Sequence, residues 1–214
     1  MIGQTRTAVQ RGGTWRHTSP ASDRRSVNET GPERLGRDAA PATASVQLLL
    51  ALARHGVRFV LFGTGGAWAH GARLPIGDID ICPDPDPRNL ERLGVCLDDL
   101  GGRPVAGDGA LPDAAWRPDP PTLENFGHRF ETALGWLDVV PYPYGPGGPD
   151  DRLAFAELNA RASTRVFAGQ PVRIAGVDDL LASKRRSGQP KDRATVRELL
   201  RVVAQESAVH DRDA

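Results

Sequence analysis

The chain has 214 residues, 27 basic and 27 acidic side chains that cancel, and two cysteines. That length suits one compact domain with extensions and buries a core without staples, while the zero balance excludes the global basic signature of a nucleic-acid binder. Cys82 and Cys96 form no CxxC pair, no apolar run approaches the roughly 18 residues of a membrane span, and the polar, Arg-containing start has no secretory apolar region, so the default location is a reducing cytoplasm.

Residues 1 to 42 are rich in Arg, Ser, Thr, Gly and Pro and carry no apolar periodicity. Such a segment buries too little surface to offset its ordering entropy, and it reads as a disordered leader or an upstream extension. Order is expected from 43 to 205. Val46, Leu48, Leu49, Leu50, Leu52 and Ala53 form a helical stripe with Ser45 as N-cap and Gly56 just past its end. Val57 to Phe62 is β-branched and aromatic, a strand. It ends at Gly63-Thr64-Gly65-Gly66, after which Ala67 to His70 reads as a short helix.

Asp78-Ile79-Asp80-Ile81-Cys82 alternates polar and apolar, the period of a strand. Arg88 to Leu100 is helical, with Pro87 near N1 and Gly101 at its end. Residues 101 to 121 read as a Gly/Pro/Asp-rich surface loop. Phe130 to Thr132 and Trp136 to Val140 read as a hairpin turning at Leu134-Gly135, and Asp151 to Ala160 as a helix. A second hairpin joins Arg165 to Phe167 and Val172 to Ile174 around Gly169-Gln170. Two helices close the chain, Asp178 to Arg186 and Asp192 to Val203, followed from Gln205 by a polar, frayed tail, set off as residues 206 to 214. This order predicts an α+β fold, a mixed or antiparallel sheet backed by helices.

The chemistry concentrates on a few residues. Asp78 and Asp80, two apart on a strand, project from one face. Adjacent carboxylates repel and persist most easily around a divalent cation; hard oxygens suit Mg²⁺. Asp138 stands alone in an apolar stretch, costly unless it is paired, metal-bound or on a solvent edge. Three glycines, Gly63, Gly65 and Gly66, let backbone N–H groups approach an anion, and Thr64 adds a hydroxyl. No Gly-Lys-Ser/Thr and no G-x-G-x-x-G follows, which excludes a P-loop and a dinucleotide fingerprint. Charge is uneven: an acidic stretch from Asp78 to Asp119 contrasts with a basic one from Lys184 to Arg201. The two regions could face each other across a site for a polyanion and its metal, but for charge alone two ordinary solvated faces are the better account. His70, His128, Trp68 and Trp136 read as packing or surface residues, with both tryptophans in the core, and Asp84 and Asp86 as a solvated turn.

A strand ending in a Gly-Gly pair, eleven residues, Asp-Ile-Asp on the next strand and a third Asp on a later one resembles the signature of the DNA polymerase beta-like nucleotidyltransferase superfamily over Val57 to Val140. Val177-Asp178-Asp179-Leu180-Leu181-Ala182-Ser183-Lys184, Gly188 to Asp192 and Leu199-Leu200 resemble the closing segment of bacterial abortive-infection toxin-type nucleotidyltransferases and their uncharacterised relatives. The resemblance implies Asp78, Asp80 and Asp138 as Mg²⁺ ligands, Gly65 and Gly66 against the triphosphate, and Lys184 and Lys191 near the phosphates. Two places depart from the pattern: Ile76 and Gly77 stand where many members carry Ser or Thr, and Gly66 where many carry Ser. The implied reaction is two-metal transfer of a nucleoside monophosphate from a nucleoside triphosphate. Its acceptor would be an RNA end such as tRNA, or a protein hydroxyl, and a cognate antitoxin is an implied partner. A small-molecule acceptor of the aminoglycoside kind, and a non-catalytic nucleotide- or partner-binding module such as an antitoxin or adaptor, stay open beside it.

Overall fold

A computed structural model describes residues 41–105, 128–147 and 150–210 of the chain. Among them a seven-stranded sheet has the order β3-β4-β5-β2-β1-β7-β6. The strands are β1 (Phe59–Phe62), β2 (Asp78–Pro83), β3 (Arg103–Val105), β4 (His128–Thr132), β5 (Gly135–Val139), β6 (Ser163–Phe167) and β7 (Gln170–Ile174). The helices are α1 (Pro41–Arg54), α2 (Gly63–Ala69), α3 (Pro87–Asp99), α4 (Phe155–Arg161), α5 (Val177–Ser187) and α6 (Asp192–His210). The sheet is mixed: β1 runs antiparallel to β2 and parallel to β7, and β2 runs parallel to β5. The expected α+β class therefore holds.

β1 is buried along its whole length and separates two cores. Phe59 and Leu61 join the α1 and α3 side chains Leu48, Leu49, Leu52, Leu90 and Leu93. Val60 and Phe62 face the other way, toward Ala67, Leu158, Leu180 and Leu199 of α2, α4, α5 and α6. Strand alternation produces this division, since successive side chains leave opposite faces. No helix among the described residues is long and apolar enough to cross a membrane.

Several boundaries differ from the sequence reading. The expected leader lies outside the described residues up to position 40, but Pro41 and Ala42 already belong to α1. Proline is tolerated in a first helical turn, and Ser45, expected as N-cap, lies buried inside the helix. Gly56 does follow the helix, with φ +66°. The loop expected from 101 to 121 contains β3, an edge strand paired with β4, where Pro104 costs no ladder bond; its remainder, from 106, lies outside the described residues. α4 starts only at Phe155, because the Glu157 carboxylate accepts the Ala154 N–H at 3.0 Å and fixes the helix start there. The second hairpin turns at Ala168-Gly169, both at positive φ (45° and 80°), one residue earlier than expected. α6 runs on to His210 through the expected frayed tail, helped by Arg201 donating to Gln205 one turn later at 2.6 Å.

Candidate active site

β2 and β5 lie side by side in a register that pairs Asp78 with Trp136 and Asp80 with Asp138. Ile79, Ile81, Leu137 and Val139 leave one face and are buried in the core. Asp78, Asp80, Trp136 and Asp138 therefore leave the other face, which is why a lone acid sits in the apolar stretch 136–140. The expected convergence of Asp78, Asp80 and Asp138 is a matter of register: a one-residue slip of β5 would send Asp138 into the core.

The glycine turn adjoins them. Phe62, the last residue of β1, pairs with Asp80. Gly63 follows at φ +60°, and a Cβ there would collide with the Asp80 carboxylate. α2 begins at Gly63 itself, earlier than expected, so the glycines form its first turn rather than a loop before it. Gly65 and Gly66 are packing glycines: a Cβ on Gly65 would meet Leu61 Cδ1 at 3.3 Å, and one on Gly66 would meet Leu180 Cδ2 at 3.1 Å. Thr64 is partly exposed in the same turn.

Charge is unevenly shared among the three acids. Burial first, then the negative charges of Asp78 and Asp138, push the Asp80 carboxyl up to about 7; Lys184 and Arg129 pull the other way. Among the described residues the Asp80 carboxylate enters no hydrogen bond or ion pair. Asp78 and Asp138 instead share Arg129, which stands across from Asp138 in the β4–β5 ladder. Its Nε donates to Asp138 Oδ1 at 2.7 Å and its Nη2 to Asp138 Oδ2 at 2.6 Å. The same Nη2 donates to Asp78 Oδ2 at 2.8 Å. The guanidinium also lies 5.6 Å from the Trp136 ring centroid.

Sequence reasoning missed Arg129 because the strand was expected to start at Phe130. The signal was present. A hairpin pairing Thr132 with Gly135 places Arg129 opposite Asp138 when counted back. Trp136, expected in the core, is 38% exposed beside the acids. Trp68 does pack against the core and stacks on Phe167 at 5.7 Å. His70 donates from Nε2 to the Ala175 carbonyl at 2.8 Å, a packing contact.

Lys184 is close enough to lower the Asp80 pKa, but its Nζ is ion-paired with Asp192 Oδ1 at 3.0 Å. Asp192 also accepts from the Ser187 hydroxyl, so it ties the end of α5 to the start of α6. Lys191 is exposed next to it and takes part in no contact of the carboxylate face. Asp78, Asp80, Asp138 and Gly63 are thus brought together, Lys184 stands nearby in a pair of its own, and Lys191 is apart.

The donor chemistry of the acids suits a hard cation such as Mg²⁺, and the unbalanced charge on Asp80 is the kind such an ion offsets. As the side chains stand, no group of three or more His, Cys, Asp or Glu among the described residues could hold a metal ion. The Arg129 fork occupies both Asp138 oxygens and reaches Asp78. Two clefts of about 610 and 790 Å³ lie elsewhere, and none of the three acids lines either.

No family model and no curated protein matches the chain. Among solved structures it is similar to the antibiotic-resistance factor ANT(2'')-Ia, at 17% identity and a TM-score of 0.48, over 81% of this chain and 94% of that one. It is similar to the lincosamide antibiotic adenylyltransferase LnuA, bound to lincomycin, at 13% identity and a TM-score of 0.47, over 75% and 96%. An antigenic nucleotidyltransferase-like protein from Paracoccidioides brasiliensis is similar at 16% identity and a TM-score of 0.47, over 80% of this chain and 78% of that one.

Proposed function

We propose that the chain is a nucleotidyltransferase that moves a nucleoside monophosphate from a nucleoside triphosphate to an acceptor hydroxyl, with Asp78, Asp80 and Asp138 holding Mg²⁺. One observation carries the reading. Three carboxylates share one partly exposed sheet face beside a glycine turn, and Arg129 bonds two of them while the Asp80 carboxylate, raised by burial and by its two acidic neighbours, has no bonded partner among the described residues. A protein without a cationic ligand gains nothing from that cluster.

Each residue then has a task. Asp78 and Asp80, on one strand, would hold the ion that carries the triphosphate. Asp138, on the neighbouring strand, would share a second ion that lowers the pKa of the acceptor hydroxyl, and would accept its proton as the acceptor oxygen attacks the α-phosphorus and pyrophosphate leaves. Bound there, Mg²⁺ would offset charge on the attacking and leaving oxygens. The absence of a side chain at Gly63 leaves room beside Asp80, and the N–H groups of the first turn of α2 would approach the phosphates. Lys184, held by Asp192, would counter charge on departing pyrophosphate at short range. We take the acceptor to be an RNA end or a protein hydroxyl.

A second reading rests on Arg129. It bonds two of the three acids and offsets one negative charge without any metal, as suits a non-catalytic module that binds a nucleotide or a partner protein. One experiment separates these readings. Purified protein is incubated with each α-³²P nucleoside triphosphate, Mg²⁺ and, in separate arms, total cellular RNA, protein extract or an aminoglycoside. Label on one acceptor, absent with Asp80→Asn, supports transfer and gives the acceptor class. No label in any arm, with the protein shown to be folded, favours the module.

A further inference from the structure

Arg129 has a place in the site that neither the acids nor the glycine turn explains. It is 45% exposed, so it is not a core ion pair kept for packing. Yet three bonds of 2.6 to 2.8 Å hold its guanidinium to two carboxylates on separate strands. The neighbouring Asp138 comes first among the causes that raise its own pKa. It is the one cation bonded to any of the three acids among the described residues. A single positive charge against three negative ones leaves an excess, and the excess falls on Asp80.

The geometry points to Arg129 as a resident counter-ion that competes with the divalent cation for Asp78 and Asp138. This rests on the metal-site part of the reading above. While no ion is bound, the fork bridges β2 and β5 and holds the two carboxylates a fixed distance apart. For an ion to take oxygens from both, Nη2 must leave Asp78 and the fork must give up at least one Asp138 oxygen. The exposed side of the guanidinium and the Trp136 ring give it somewhere to go. A planar, permanently charged fork suits this role; a lysine offers a point charge that cannot take both Asp138 oxygens and Asp78 together.

A purely structural arginine and a competing one predict different results. Removing a structural arginine weakens the fold and, with it, the site. Removing a competitor weakens the metal-free fold but strengthens metal binding. The test is calorimetric titration of the full chain with Mn²⁺ alone, no nucleotide present, on the native protein, Arg129→Gln, Arg129→Lys and Asp80→Asn, with a thermal melt of each metal-free protein. Arg129→Gln is expected to melt lower than native without metal and to bind Mn²⁺ about fivefold more tightly, the scale of one lost charge pair. Arg129→Lys is expected to lie between them, and Asp80→Asn to bind weakly. Equal or weaker binding by folded Arg129→Gln, with native binding lost in Asp80→Asn, overturns the role of Arg129 and leaves the metal site standing. No Mn²⁺ binding by native protein or by either Arg129 variant overturns both.

Discussion

One pair of aspartates separated by a single residue opens β2 and another follows its end, and they are used in opposite ways. At the far end Asp84 accepts from Arg58 Nε at 2.8 Å and from the Asp86 N–H at 3.0 Å. Asp86 caps α3 by accepting the Asn89 N–H at 3.2 Å. Asn89, fully buried, accepts the Arg58 N–H at 2.6 Å and donates to the Arg58 and Asp84 carbonyls at 2.9 and 2.8 Å. Every charge and dipole there has a neighbour from the same network. At the near end Asp78 and Asp138 share one guanidinium, and among the described residues nothing is bonded to the Asp80 carboxylate. Acids that are finished by their surroundings build a fold. Acids left unfinished on a partly buried face are held at a cost in burial and repulsion that an external cation offsets.

The sharpest way to break this comparison is to neutralise one acid at each end. Asp80→Asn or Asp138→Asn is expected to lower nucleotidyl transfer about a thousandfold or more while the far-ultraviolet circular dichroism stays native. Asp84→Asn should leave transfer per folded molecule within about twofold and lower the melting temperature, as lost charge-assisted bonds do. Equal loss of transfer at both ends would remove the distinction.

Two glycines sharpen it next. Gly56 and Gly63 flank β1 and share positive φ, +66° and +60°. A Cβ on Gly56 would touch only the Arg92 side chain, at 3.6 Å, whereas one on Gly63 would run into the Asp80 carboxylate. Both alanine variants should lose about 1–3 kcal/mol from backbone strain. Gly63→Ala alone should also lower transfer about a hundredfold, because displacing a reacting group by an ångström has that effect. Parallel urea melts and rate assays read both numbers.

Asn89→Ala tests the far end by itself. It leaves the Arg58 N–H and the Asp84 carbonyl without their Asn89 partner in a partly buried place, while the Arg58 carbonyl keeps the Asp84 N–H at 3.0 Å, and the expected loss is about 1–3 kcal/mol in urea denaturation. Transfer measured per folded molecule should be unchanged. A variant that melts as native would mean that water completes the network.

Legibility in the sequence follows the same division. The Asp-Ile-Asp alternation, the apolar run of 136–140 and the glycine turn all have strict local periods, so β2, β5 and the three acids could be read directly. Parallel pairing of β2 with β5 is a long-range fact that no local pattern carries; the chemistry of the acids pointed only to the two strands being neighbours. Arg129 and β3 were missed for a related reason: each is defined by its partner across a ladder, not by a pattern of its own. Lys184 was expected at the phosphates, and its pairing with Asp192 depends on how α5 and α6 meet across Gly188, at φ +62°. Trp136 misled because its size suggests burial, while strand parity places it with Asp138 and in partial exposure.

The smallest expected effect is a dependence of stability on pH, and it belongs to the near end alone. The Asp80 carboxyl titrates near 7 in the folded chain and near its ordinary 3.8 when unfolded. Between those values the folded chain binds the extra proton. Stability from this group is therefore fully present below about pH 4 and is lost as pH rises through about 7. The metal-free protein should melt about 5 °C lower at pH 8 than at pH 5. His55, whose pKa Asp99 and the Ala51 carbonyl raise, adds in the same direction. Glu198, lowered by the Arg73 N–H and Arg201, acts only on the acid side, where its stabilisation is lost as pH falls. Asp80→Asn isolates the contribution: it should flatten most of the decline and melt higher than native at pH 8 without metal. Mg²⁺ at pH 8 should raise the native melting temperature and leave that variant nearly unmoved. A native decline that survives in Asp80→Asn would assign it to groups other than Asp80, His55 among them, and the burial and repulsion acting on Asp80 would then be weaker than its place among the three carboxylates implies.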